Sequence, residues 1–82
     1  MRIKVLYFAA VRELVGKDEE EIELPASVAT IGDLAAHLSN ANASLAGRMA
    51  SVRLARNETF ATNDERLEDG DVVALIPPVA GG

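Results

Sequence analysis

The sequence has no cysteine, no tryptophan and a single histidine, His37, among its 82 residues. Without cysteine the chain can form no disulfide and no thiolate metal site, and it has no thiol nucleophile. With one imidazole it cannot build a metal site from several histidines, and we interpret His37 as an ordinary surface residue. It also lacks the Gly-x-x-x-x-Gly-Lys-Ser/Thr loop that binds phosphates. These absences argue against an autonomous enzyme and against a permanently bound cofactor or metal.

No apolar run approaches the 18 residues that a membrane span needs, and the first residues do not resemble a secretory signal. We therefore expect a cytoplasmic protein that does not bind membranes. Basic residues are also few, since eight Lys and Arg stand against thirteen Asp and Glu and give a net charge of −5. This balance disfavours nucleic acid as a ligand and favours a basic partner.

Apolar and polar residues alternate in several short segments, which is typical of strands. The predicted strands are residues 2–8, 19–24, 51–56, 59–61 and 72–76. Two helices are predicted between them. The first covers residues 9–15 and is closed by Gly16, and the main helix covers residues 31–40 behind a capping box formed by Thr30 and Asp33.

The first and last strands are both expected to be central, because residues 72–76 form a continuous apolar run and residues 2–8 become apolar on both faces. If these strands are neighbours, they must run parallel in an otherwise mixed sheet. The fold class predicted from this order is α+β, a ubiquitin-like β-grasp with a mixed four- to five-stranded sheet and one main helix packed on one face. In this fold the helix packs Leu34 and Leu38 against four apolar strand residues. These are Val5, Tyr7, Val73 and Leu75.

A helix on one face leaves the other face of the sheet uncovered. Leu6, Phe8, Phe60 and Ile76 have the phase to lie there, and an apolar patch of this kind needs covering by a partner. The turn at residues 68–71 contains Asp69 and Asp71, whose carboxylates are explained by turn chemistry.

The sequence ends in Pro-Pro-Val-Ala-Gly-Gly. Pro77 and Pro78 fix an extended exit from the last strand and remove two backbone donors. Gly81 and Gly82 have no Cβ, so the backbone can pass through a narrow channel in another protein. We therefore predict a β-grasp domain over residues 1–78 and a flexible tail over residues 79–82. The terminal carboxylate of Gly82 could be activated as an acyl-adenylate and then converted into a thiocarboxylate.

Three segments together are similar to a known family. They are residues 3–16, the turn and strand at residues 67–74, and the terminal Pro-Pro-Val-Ala-Gly-Gly. Across the whole chain, the sequence resembles the small, sulfur-carrier subunits of molybdopterin synthase, a MoaD-like family of ubiquitin-like proteins.

The resemblance implies a sulfur-donating subunit of a synthase that is not itself a complete enzyme. An adenylyltransferase related to ubiquitin-activating enzymes would use ATP to adenylate Gly82, and a sulfur donor protein would supply the sulfur. The loaded tail would then enter the large synthase subunit, within an expected heterotetramer, and give sulfur to cyclic pyranopterin monophosphate. The resemblance also assigns roles to further residues. Tail threading would involve Pro77, Pro78, Val79, Ala80 and Gly81, and partner binding would involve Phe8, Arg12, Phe60 and Ile76.

Three alternatives remain open at this point. One is a purely structural binding module with an inert tail, in which deletion of Gly81 and Gly82 would change nothing. A sulfur carrier of the thiamin pathway has similar fold and chemistry, although it usually lacks the two prolines before its last four residues. A ubiquitin-like modifier would instead join Gly82 to a lysine through an isopeptide bond.

Overall fold

The computed structural model describes residues 1–78, and they form one mixed sheet with helices packed on it. The first helix at residues 9–15 and the last strand at residues 72–76 have the predicted bounds, and the main helix begins at Ile31 as predicted. Residues 49–51, partly predicted as strand, form a 3-10 turn in which the Ser51 N–H donates to the Arg48 carbonyl at 3.0 Å. In chain order, the elements are β1 (Arg2–Tyr7), α1 (Ala9–Val15), β2 (Glu19–Glu23), α2 (Ile31–Ala41), α3 (Ala43–Ala46), the 3-10 turn (Met49–Ser51), β3 (Arg53–Arg56), β4 (Thr59–Phe60) and β5 (Val72–Ile76).

The five strands lie in the order β2-β1-β5-β3-β4. β1 and β5 pair in parallel, with Val5 opposite Val73 and Tyr7 opposite Leu75. The other pairs are antiparallel. The predicted parallel pair at the centre of a mixed sheet is therefore confirmed, and so is the number of strands.

The core lies between the sheet and α2. Leu34 and Leu38 on the helix are buried in one cluster with Val5, Val73 and Leu75 from the two central strands. The remaining predicted member of this cluster, Tyr7, is buried there as well. The predicted packing of the main helix is therefore confirmed.

Local sequence signals explain where the elements begin and turn. The Thr30 hydroxyl accepts from the Asp33 N–H at 3.1 Å, and the Asp33 carboxylate accepts from the Thr30 N–H at 3.2 Å, which completes the predicted capping box. Hydrogen bonds from the backbone of Ala29 and from Thr30 hold the pKa of Asp33 below its usual value. The hairpin between β3 and β4 turns at Asn57 and Glu58, whose φ angles of 50° and 74° are both left-handed. A two-residue hairpin turn needs positive φ angles at both central residues, because only then does the twist of the turn match that of the two strands.

Candidate docking face and tail exit

The chain leaves the sheet at Ile76, at the end of a central strand. Pro77 is half-buried and Pro78 is exposed. Both line a groove of about 530 Å³ whose other walls come from α1, α3 and the 3-10 turn. Because neither proline has an N–H, the chain cannot continue β5 as a hydrogen-bonded strand on that side. The predicted roles of Val79, Ala80, Gly81 and Gly82, and the predicted flexibility of this tail, concern residues outside the described part of the chain.

The sheet face opposite α2 carries a continuous row of apolar side chains. Leu6 pairs with Ala74, Ala74 with Ala55, and Ala55 with Phe60. Their sequence neighbours Tyr7, Leu54 and Leu75 are buried in the core. Since side chains alternate between the two faces of a strand, this row lies on the face that α2 does not cover. We call this face, including Ile76 and Phe8 at its end, the open face.

Two large apolar side chains on the open face are well exposed: Phe8 at 46% and Phe60 at 51%. Ile76 and Leu6 are half-buried. The structure therefore brings Phe60, Ile76 and Leu6 onto one surface, as expected. Phe8 lies at the end of this surface, where it is the extended residue between β1 and α1. An exposed patch rimmed by polar residues is typical of a protein interaction site. Binding of a partner by Phe8, Phe60 and Ile76 stays a prediction.

Arg12 lies one helical turn after Phe8, and its backbone N–H donates to the Phe8 carbonyl at 3.3 Å. Its side chain is exposed, with the guanidinium Nε 3.7 Å from the Asp18 carboxylate. Exposed ion pairs of this kind contribute little to stability. Arg12 is thus exposed one helical turn from Phe8, and its role in partner binding also stays a prediction.

Sequence reasoning missed a cation on the open face. The Arg53 guanidinium carbon lies 3.8 Å from the centre of the Phe60 ring. Arg53 pairs with Ile76 across the β3–β5 ladder, two residues before Ala55, which pairs with Phe60. The hairpin turn at Asn57 sets the register that makes Arg53 and Phe60 diagonal neighbours on adjacent strands. The register of the predicted hairpin was therefore the signal that could have revealed this contact.

Sequence reasoning also missed a charged cluster that attaches the hairpin to the turn before β5. The buried Asp71 carboxylate accepts from Arg56 Nε at 2.6 Å, from the Glu68 N–H at 2.8 Å and from Asn57 Nδ2 at 3.0 Å. The Arg56 guanidinium also lies 3.3 Å from a Glu65 carboxylate oxygen. We call these groups the Asp71 clasp. It holds the strand pair that carries Phe60 and Arg53 against β5.

Burial would raise the pKa of Asp71, but the hydrogen bonds from Arg56, Glu68 and Asn57 outweigh it and hold the pKa below its usual value. The hydrogen bond to Asp71, followed by the hydrogen bond to Glu65, raises the pKa of Arg56. Asp69 accepts from the Arg2 N–H at 2.7 Å. Both aspartates of the turn are therefore engaged by the protein itself, and no group of residues within the described range is arranged to hold a metal ion.

The Tyr7 hydroxyl is buried and has no hydrogen-bond partner among residues 1–78. Burial, with a smaller contribution from the Glu20 carboxylate, raises the pKa of Tyr7 to about 12. Its phenol therefore stays neutral near pH 7 and belongs to the core.

Comparison with known proteins decides the family. The sequence model of the ThiS family matches residues 5–82. The chain belongs to the ThiS family. This ThiS-family chain is similar to the molybdopterin synthase sulfur carrier subunit of Escherichia coli K12, with 43% identity over 82 residues that cover 98% of this chain and 99% of the relative.

Solved structures of similar proteins confirm the fold. A Pyrococcus furiosus protein assigned as molybdopterin converting factor subunit 1 is 39% identical, with a TM-score of 0.85 over 96% of this chain and 99% of the other. The small archaeal modifier protein SAMP1 of Haloferax volcanii is 28% identical, with a TM-score of 0.86 over the full length of both chains. The ThiS-family chain therefore has the predicted ubiquitin-like β-grasp fold. Over residues 1–78, none of its helices has both the length and the apolar composition needed to cross a bilayer.

Proposed function

We propose that this chain is the sulfur-carrier subunit of a molybdopterin synthase in the cytoplasm. The observation that carries the proposal is similarity over 98% of this chain, at 43% identity, to the sulfur carrier subunit of that synthase from Escherichia coli K12. The Pro-Pro-Val-Ala-Gly-Gly end of this chain suits the same role. The same likeness favours this function over a thiamin-pathway carrier, which has the same chemistry but usually no Pro-Pro spacer.

The proposed reaction uses the carboxylate of Gly82. A partner adenylyltransferase joins it to the AMP part of ATP and releases pyrophosphate, because a free carboxylate is a poor electrophile. A sulfide equivalent from a donor protein then displaces AMP and leaves a thiocarboxylate. The thiocarboxylate sulfur is nucleophilic at neutral pH and attacks a carbon of the pterin precursor, cyclic pyranopterin monophosphate, where it displaces a bound oxygen. Water then cleaves the acyl–sulfur bond, which leaves the sulfur on the pterin and restores the Gly82 carboxylate.

The described residues support this role by position. Pro77 and Pro78 follow Ile76, the last residue of β5, which lies on the open face. A partner that covers Ile76 and Phe60 would therefore receive the tail at the edge of the same contact. We propose that this partner is the large synthase subunit, assembled with the carrier as a heterotetramer, and that no cofactor stays bound to the carrier itself.

The decisive experiment concerns Gly82. A protein that ends at Gly82 should gain the mass difference between sulfur and oxygen when it is incubated with the adenylyltransferase, ATP and the sulfur donor. The loaded protein should then form molybdopterin with the purified large subunit. A variant with one alanine added after Gly82 should do neither, although its unfolding curve should be unchanged. The added residue would shift the terminal carboxylate along a close-fitting channel and away from the reacting groups.

The control for the extension is Asn40→Ala, which changes an exposed residue of α2 without changing the tail and should still accept sulfur. If the extended protein is loaded and active without being trimmed, the carrier function is wrong.

The likeness to the modifier SAMP1 of Haloferax volcanii favours a second function, joining Gly82 to lysine side chains of other proteins. The first step, adenylation, would be shared. Trypsin cleaves after Arg66, the last basic residue of the chain, so mass spectrometry of digested proteins from cells that express a tagged chain would detect residues 67–82 attached to lysine. The absence of this attachment under conditions where molybdopterin is made would leave the sulfur-carrier function alone.

A further inference from the structure

Arg53 differs from most of the basic residues in its contacts. Ion pairs join Arg2, Lys4, Arg12, Lys17 and Arg56 to nearby carboxylates. Arg53 forms no ion pair within residues 1–78. Its guanidinium lies instead over the Phe60 ring, 3.8 Å from the centre. A guanidinium held at this distance keeps its N–H donors at its rim, where they remain free to bind an acceptor.

The position of Arg53 places this cation within the open face. Its backbone partner is Ile76, the last residue of β5, and its ring partner Phe60 is 51% exposed. The charge therefore lies between two apolar side chains and close to the point where the tail leaves the sheet. This local charge is opposite in sign to the net charge of −5, which by itself favours a basic partner.

A partner that covers the open face would have to meet the desolvation free energy of the Arg53 guanidinium. In the free protein, Arg53 is exposed and water solvates its rim. A partner that covers Phe60 and Ile76 would remove that water, and a desolvated guanidinium without an acceptor strongly disfavours binding. A carboxylate fits best, because its two oxygens match the fork of guanidinium donors.

We propose that the large synthase subunit binds Arg53 through a carboxylate, so that Arg53 determines which partner can cover the open face. This inference rests on the proposed function, because it takes the large subunit as the occupant of the face. Phe60 acts with Arg53 by holding the guanidinium flat, so that its donors face the partner in one orientation.

The test is titration calorimetry with the large subunit of the same organism. Arg53→Gln should weaken binding at least ~30-fold, as truncation of one partner in a buried charge pair does. Arg53→Lys keeps the charge but not the fork, so its loss should be intermediate. The matched control is Arg66→Gln, because Arg66 is exposed beside the start of α2 and forms no ion pair among residues 1–78. That control should bind within about twofold of the original chain.

If Arg53 had only a structural role, its substitution would lower the stability of the free protein. Urea unfolding of the free Arg53→Gln protein should match the original, because its side chain is exposed. A loss of stability that parallels the loss of binding would overturn the proposal. Charge reversal gives the positive evidence. Arg53→Glu should bind weakly, and lysine at one acidic position of the large subunit should restore its binding. The same lysine should weaken the binding of Arg66→Glu, because that control keeps Arg53.

The outcomes separate this inference from the proposed function. If the original chain and Arg53→Gln bind the large subunit equally well, the proposed function stands and the carboxylate contact is wrong. If the original chain does not bind the large subunit at all, the proposed function and this inference both fail.

Discussion

Asp71→Asn should destabilise the domain strongly at neutral pH and much less in acid. The substitution keeps the shape of the side chain but removes the charge from a buried group that accepts hydrogen bonds from Arg56, Asn57 and the Glu68 backbone. The amide can keep an oxygen acceptor for one donor, but its NH2 group then faces another donor. The lost interaction is the charge-assisted bond from Arg56, at 2.6 Å the shortest of the three.

The expected magnitude is about 2 kcal/mol, because hydrogen bonds to charged groups contribute roughly 1.5–3 kcal/mol each. A domain of 82 residues has a free energy of unfolding of roughly 4–12 kcal/mol. The change is therefore a large part of the total. It should lower the melting temperature by roughly 8–16 °C, since each kcal/mol shifts a domain of this size by about 4–8 °C.

The pH dependence follows from the direction of the pKa shift. The folded protein holds the pKa of Asp71 below its usual value, so the carboxylate stabilises the fold above the unfolded pKa of about 3.9. This contribution is lost as the pH falls through the lower, folded pKa. The difference between the original chain and Asp71→Asn should thus be full at pH 7 and shrink below about pH 4.

Urea unfolding followed by circular dichroism at pH 7 and at pH 3 measures both quantities. Asp69→Asn is the matched control, because Asp69 is exposed in the same turn and accepts one backbone N–H. If Asp71→Asn costs no more than Asp69→Asn at pH 7, or costs the same at both pH values, the Asp71 clasp does not stabilise the domain as argued.

Further predictions concern the open face, the core and the turn before β5. Ile76→Asp should leave the monomer folded but weaken its binding to the large subunit at least tenfold in calorimetry, because it places a charge in a desolvated contact. Ala36→Asp, on the exposed side of α2, should not weaken this binding. Leu38→Ala should lower the free energy of unfolding by about 2–5 kcal/mol in urea, because the side chain is fully buried, and a loss below 1 kcal/mol would contradict the packing. Gly70→Ala should cost about 1–2 kcal/mol by thermal unfolding, because φ is 87° there and a Cβ is strained; an unchanged melting temperature would argue against this conformation.

Much of the fold follows from local patterns in the sequence. Alternation at residues 2–8 and the apolar run at residues 72–76 predict central strands, because a strand buried on both faces needs apolar side chains on both. The capping box at Thr30 predicts where α2 begins, since the residues that satisfy the first N–H groups are three apart in sequence. The parallel pairing of β1 and β5 is predicted on the condition that the two strands are neighbours, and the structure meets that condition.

The candidate site could be predicted in part. Its apolar members, Leu6, Phe60 and Ile76, follow from the face that the alternation assigns to them and from the presence of a single main helix. Their role in binding, and every role given to Gly82, rests on resemblance and on the experiments above.

Only the tertiary structure decides which charges meet. Arg56 and Asp71 are fifteen residues apart, and their contact depends on how β3 registers against β5. In the sequence, Arg53 is one more polar residue of an alternating strand, and only the hairpin register places it over Phe60. The spacing of apolar residues along a strand or helix, and the capping of a helix, depend on neighbours within a few residues. The sequence by itself therefore determines the helices and strands and the face that each one buries. The partners of a charged side chain are set by strand register, because a shift of one residue moves every side chain to the other face.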